Sequence, residues 1–232
     1  MRRGPQVAQA AVPTARSMRW GPVAATAVLA LAAVALLTHT HLAGGVGPIG
    51  AADRITALRV SAILLSLGAA FALDDPTGDV TATVPLPAVL RRAMRLGLAC
   101  AAILPVWGLA LAIAAQGLRE RGGLPQLRVG LEALTLLVVV WGVAAAAERF
   151  VPERFGGLVA GPVLLTLVGV TLAAPFLPGH VRLYPDGPWD PQWGHAHALW
   201  LRALAVAAAV LYLFSRDPAH VRLRALPRAL AP

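Results

Sequence analysis

Apolar residues in this chain neither alternate nor recur on one helical face; they run in long blocks separated by short polar clusters. A hydrocarbon layer about 30 Å thick takes roughly 20 helical residues to cross. Blocks of that order run from Gly21 to Leu42, Ile55 to Leu73, Leu96 to Leu118, Val129 to Ala147, Gly156 to Leu177 and Ala198 to Phe214. Backbone in lipid must satisfy its own hydrogen bonds, and no strand pattern of alternating polarity competes, so each block is expected to be a helix. The pattern predicts an all-α, polytopic integral membrane protein with six transmembrane helices. Residues 1–20 and 215–232 are its tails, and a polar segment, 74–95, lies between the second and third spans.

Composition agrees. Hydrophobic residues make up 58 % of the 232, and charged residues 13 %, against about 25 % charged in soluble domains. The net charge of +9 comes from 20 basic residues, all arginine, against 11 acids. Arginines at helix ends meet lipid head groups and follow the positive-inside bias, so the charge calls for no nucleic acid. Their distribution sets the orientation. If both termini are cytoplasmic, the inner segments hold Arg2, Arg3, Arg16, Arg19, Arg91, Arg92, Arg95, Arg149, Arg154, Arg216, Arg222, Arg224 and Arg228. The other side has Arg54, Arg59, Arg119, Arg121, Arg128 and Arg182, and Arg202 falls inside the sixth span. Thirteen against six favours that orientation, although the segment from Arg119 to Arg128 is basic on the outer side.

Within the spans, Pro105 and Pro162 each remove an amide donor. Ser61, Ser66 and Gly68 offer small surfaces for close helix approach. The single cysteine, Cys100, forms no intrachain disulfide and reads as a small buried hydrophobe. The first apolar block exceeds a signal-peptide core in length and reads as a retained helix.

The polar segment between the second and third spans carries the most chemistry. Asp74, Asp75 and Pro76 close the second span, Pro85 and Pro87 favour extended backbone, and Arg91, Arg92 and Arg95 follow on a short amphipathic helix. One reading makes these charges simple anchors. The other makes the segment a coupling element, lying on the inner leaflet and meeting a cytoplasmic partner. The Leu73-Asp74-Asp75-Pro76 turn, the proline-containing linker and the arginine-rich helix opening the third span resemble a group of small six-span membrane proteins of high-GC Gram-positive bacteria. These look like permease subunits of ABC exporters. The resemblance covers about 25 residues. It implies residence in the bacterial cytoplasmic membrane, a separate ABC ATPase chain carrying ATP and Mg, a second permease copy or paralogue, and coupling through Asp74, Asp75, Pro76, Arg91, Arg92 and Arg95. A chain without lysine has no Gly-x-x-x-x-Gly-Lys-Ser/Thr phosphate loop, so ATP hydrolysis belongs to the partner, and this chain is expected to be a transport subunit rather than an enzyme.

On the opposite side, His39 and His41 end the first span, while His195 and His197 open the sixth. Two His-x-His pairs at one depth suit zinc or copper, with Asp186 or Asp190 completing the shell, which gives an alternative reading as a metal-binding membrane protein or metalloenzyme. The bland counterpart is an interfacial belt, because Tyr184, Trp189, Trp193 and Trp200 crowd the same region. The segment from Pro178 to Gly194 reads as an ordered cap. Arg202 and Glu132 are intramembrane charges and natural partners for each other. No Gly-x-Ser-x-Gly elbow or His-Glu-x-x-His helix is present. A third reading is a structural membrane subunit without activity of its own.

Overall fold

The computed structural model describes residues 12–39, 50–74, 88–116, 124–150, 156–173 and 182–216. The described residues are all-helical, and six of the helices are long and apolar enough to cross a membrane. They are α1 (Trp20–His39), α2 (Ala51–Ala69, tightening to a 3-10 turn over Ala70–Ala72), α3 (Ala88–Ala115), α4 (Gln126–Phe150), α5 (Gly156–Ala173) and α6 (Trp193–Ser215).

The centre of the bundle is α2 packed on α4. In their apolar stretches 67 % and 56 % of residues are buried, against 11 % in α6. Helices α1 and α3 lie against α2, while α5 and α6 lie against α4. Leucines and valines that point away from protein, such as Val28, Leu104, Leu165 and Val206, are therefore the lipid-facing surface rather than a failed core. A consequence of this layering is that the two central helices carry a buried ion pair. Arg59 and Glu132 face each other across the α2–α4 contact.

Close approach uses small residues. A side chain at Gly68 would strike Thr26 of α1, and one at Gly156 would strike the Ala144 carbonyl of α4. At Gly157 it would meet Phe71 and the Ala70 carbonyl, so the start of α5 is wedged between α4 and the end of α2. The α2 helix tightens where Trp141 Nε1 of α4 donates to the Ala69 carbonyl at 3.0 Å.

Several sequence-based boundaries move, among them that of the sixth helix, which begins at Trp193 rather than Ala198. The second and fourth helices begin earlier than the apolar blocks, so Arg54 joins Arg59 within α2. The short surface helix expected over residues 88–95 is not separate. It runs without a break into the span as the first two turns of α3. No breaker stands between Arg95 and Leu96, and the arginines turn inward onto protein acceptors instead of lying along a membrane surface. Asp75, Pro76, Pro85 and Pro87 lie outside the described residues.

Candidate functional site

Polar side chains gather at the two ends of the bundle. At the end where α2, α4 and α6 begin, which we term the cap end, Arg59 and Glu132 form a two-pronged ion pair. Arg59 Nε donates to Glu132 Oε2 at 2.7 Å, and Nη2 to Oε1 at 3.0 Å. Glu132 is 1 % exposed. At about 1.5 Å of rise per residue, Arg59 and Glu132 sit roughly 9–12 Å inside their helices, a depth at which an unpaired charge is costly. The third face of the guanidinium is also taken, since Nη1 donates to the Pro185 carbonyl at 2.9 Å. Tyr184 and Trp193 rings flank it, 5.3 and 6.0 Å from the guanidinium carbon.

His197 joins this pair. Its Nδ1 lies 2.7 Å from the Trp193 carbonyl, which only accepts, so Nδ1 carries a proton. Its Nε2 lies 3.2 Å from Glu132 Oε1, close enough for an ionic contact but outside hydrogen-bond alignment. Residues 182–192 close over the cluster as a strap. Arg59 holds it at Pro185, and Trp200 Nε1 holds it by donating to the Leu183 carbonyl at 2.9 Å. Trp193 and Trp200 are buried in this arrangement and Trp189 is exposed, so the tryptophans divide between cap packing and the interface. Burial pushes the Tyr184 phenol up to about 12, with the Glu132 carboxylate adding to the effect. Thr171 lies beside that hydroxyl without making a hydrogen bond of ordinary geometry to it.

Arg202, the expected partner of Glu132, is exposed one and a half turns beyond His197 on another face of α6. Glu132 is instead claimed by Arg59 from the neighbouring central helix. Of the expected metal ligands, His39 and His195 are exposed, His197 is buried, and His41 lies outside the described residues. Among the described residues, no three His, Cys, Asp or Glu side chains converge, because His195 and His197 point to different faces of α6.

The opposite end, the clamp end, is built differently. Asp74 is 1 % exposed and its Oδ1 accepts from the Gly157 amide at 2.8 Å, satisfying one free N–H at the start of α5. Its second oxygen, Oδ2, is buried without a hydrogen bond. Burial raises the Asp74 carboxyl above its usual range, while the Gly157 amide, Arg19 and Arg95 oppose the rise. Arg95 Nη1 donates to the Leu73 and Asp74 carbonyls at 3.1 and 3.0 Å, and its Nη2 donates to Ser17 at 3.3 Å. Arg92 pairs with Glu148 at 2.5 Å and donates to the Phe214 carbonyl at the same distance. Arg149 donates to the Arg216 carbonyl.

These arginines occupy carbonyls that the ends of α2 and α6 leave free, and at the cap end Arg54 does the same for α3 through the Ala114 and Gln116 carbonyls. Arginine count along the chain registered this only as topology. The residues expected to face a partner thus divide. Asp74 and Arg95 are buried and join helices, Arg91 and Arg92 are half-buried, and Asp75 and Pro76 lie outside the described residues. Comparisons with protein-family models, curated proteins and solved structures find no match to this chain.

Proposed function

We propose that this chain is the membrane-spanning permease subunit of an ABC-type exporter in a bacterial cytoplasmic membrane. It works with a separate ATPase chain and a second permease copy or paralogue, and both its termini are cytoplasmic. The observation that carries the reading is the anchoring of segment 75–87 at both of its ends. Before it, Asp74 is tied to α5 through Gly157, and the Leu73 and Asp74 carbonyls are tied to α3 through Arg95. After it, Arg92 reaches α4 through Glu148 and α6 through the Phe214 carbonyl. A force applied to this segment is delivered directly to α2, α3, α4, α5 and α6. That is the mechanical requirement for a subunit whose energy arrives from outside the membrane.

Two sequence features support the same reading. The clamp end lies on the arginine-rich side by the positive-inside count, and the lysine-free chain needs a partner for ATP chemistry. In this scheme Asp74 and Arg95 transmit rather than dock. Docking falls to the segment between them and to the half-buried Arg91.

The test is co-expression with the ABC ATPase encoded nearest to this chain, followed by purification in mild detergent. Co-elution, with ATP hydrolysis changed by the permease, is the expected result. A monodisperse, folded chain that associates with no such ATPase overturns the reading.

A further inference from the structure

Both ring nitrogens of His197 face acceptors. Nδ1 lies 2.7 Å from the Trp193 carbonyl, and Nε2 lies 3.2 Å from Glu132 Oε1. A neutral imidazole carries a proton on one nitrogen and a lone pair on the other. With the proton on Nδ1, the Nε2 lone pair is set against a carboxylate oxygen. With the proton on Nε2, the Nδ1 lone pair is set against a carbonyl. Each neutral form therefore buries a repulsive contact, and only the doubly protonated ring turns an N–H toward both neighbours. Nε2 has no hydrogen-bond partner among the described residues, so no third group relieves it.

The surroundings supply one negative charge for that second proton. Glu132 reaches the ring from α4, and Arg59 of α2 shares the same carboxylate oxygen, its Nη2 donating to Oε1 at 3.0 Å. The Tyr184 phenol, pushed up to about 12, stays neutral. The other charged groups of the packed elements turn elsewhere. Asp53, Arg128, Arg182, Asp186, His195 and Arg202 are exposed, Asp190 accepts from the Gln192 amide, and Arg54 is spent on the end of α3. Helix α5 has no titratable side chain between Gly156 and Ala173, and among the described residues no metal-ligating set gathers around the ring. Burial, Arg59 and the N-terminal end of α6 oppose a second cation, whereas Glu132 and the Trp193 ring, 4.4 Å from the imidazole, favour it. Two cations on one carboxylate make the proton exchangeable rather than fixed.

We infer that Arg59, Glu132 and His197 form an intramembrane proton-binding site, and that the proton on His197 Nε2 keeps the strap seated. The link runs through three contacts. His197 bears on Glu132, Glu132 holds Arg59, and Arg59 Nη1 holds the strap at the Pro185 carbonyl. Loss of the proton sets the Nε2 lone pair against Oε1, and a carboxylate that moves off the ring draws Arg59 from Pro185. The proton is taken from and returned to water at the cap end, and no other bond changes. The site stands on these contacts and does not rest on the exporter reading.

The test is magic-angle-spinning NMR of the full chain, labelled with ring-¹⁵N histidine, in dioleoylphosphatidylcholine bilayers from about pH 5 to about pH 9. The His197 signals are those missing from His197→Gln. Two protonated ring nitrogens at the acid end, and Nδ1 as the single protonated nitrogen at the alkaline end, are expected. Glu132→Gln, whose amide donates to the Nε2 lone pair, should leave the ring singly protonated at a pH where the wild type holds both protons. Hydrogen–deuterium exchange of residues 182–192, corrected for its intrinsic pH dependence, reads the strap. Strap protection should fall about ten-fold as the proton leaves, the factor that about 1.4 kcal/mol represents, and should not vary with pH in His197→Gln. A His197 ring in one protonation state across the range would overturn the site, and so would a titration unchanged by Glu132→Gln. A proton that comes and goes without any change in strap protection would overturn its role in seating the strap. Should Glu132→Gln fail to fold, the wild-type titration and the His197→Gln exchange profile decide between these outcomes.

Discussion

The two ends of the bundle bury charge in opposite ways. At the cap end, two side chains from the central helices neutralise each other in a two-pronged pair, and a strap of backbone and aromatic rings seals them. At the clamp end, arginines bond mainly to helix-terminal carbonyls, and the one fully buried acid, Asp74, bonds to a backbone amide. The first arrangement depends on one partner being present. The second spreads its bonds over the ends of several helices. On the proposed exporter reading, the cap end is the fixed end and the clamp end the one loaded from outside.

The largest effect should come from breaking the cap-end pair. Glu132→Ala leaves Arg59 buried and unpaired, and removing one member of such a pair typically costs about 3–5 kcal/mol. Thermal unfolding in detergent should show that loss, and the double variant Glu132→Leu with Arg59→Leu should recover most of it. A double variant no better than the single one would show that Arg59 depends on Pro185 rather than on Glu132. The wedge of α5 comes next. Gly157→Ala pushes a methyl group into Phe71 and the Ala70 carbonyl, and overpacking of this kind costs roughly 1–3 kcal/mol in the same assay.

At the clamp end, Asp74→Ala should cost about 1–3 kcal/mol by stranding the Gly157 amide, whereas Asp74→Asn keeps an acceptor and should cost less. The sign of its pH dependence follows from burial. A carboxyl raised above its usual 3.8 in the folded chain favours folding most at low pH, and that contribution is lost as pH rises through the raised native value. The unfolding midpoint of the wild type, measured relative to Asp74→Asn, should therefore fall as pH increases from about 4. A wild-type advantage that grows with pH would mean that the Arg19 and Arg95 charges outweigh burial. The smallest effect belongs to Arg92→Gln, whose partly solvated pair with Glu148 should be worth about 1 kcal/mol or less.

Much of this comparison was legible in the sequence as class and little of it as pairing. Six apolar blocks specify the helices, because lipid leaves the backbone no alternative. Glu132 stood out as an acid inside a span, but its partner did not. Arg202 was the natural choice from depth, while Arg59 was tallied with the outer arginines. Arg59 and Glu132 lie four and three residues inside their apolar blocks, so their shared depth was legible, but which helices face each other was not. The cap was visible as a proline- and tryptophan-rich segment, and Pro185 and Trp200 do fasten it. The clamp was misplaced as a surface helix because a run of arginines beside a span looks the same whether it meets lipid phosphate or helix-terminal carbonyls. That distinction depends on which helix ends lie within reach, and a single chain's spacing does not encode it.

The most direct measurement asks which end meets the partner. In a Cys100→Ala background, a photoactivatable cross-linker would be placed at Asp79→Cys, between the clamp residues, and separately at Arg182→Cys, on the strap, in the co-expressed complex with the ATPase. Adducts to the ATPase from position 79 and none from position 182 are predicted. Adducts from the strap, or from neither position in a complex that still co-elutes, would contradict the assignment of the clamp end as the site where force enters the bundle.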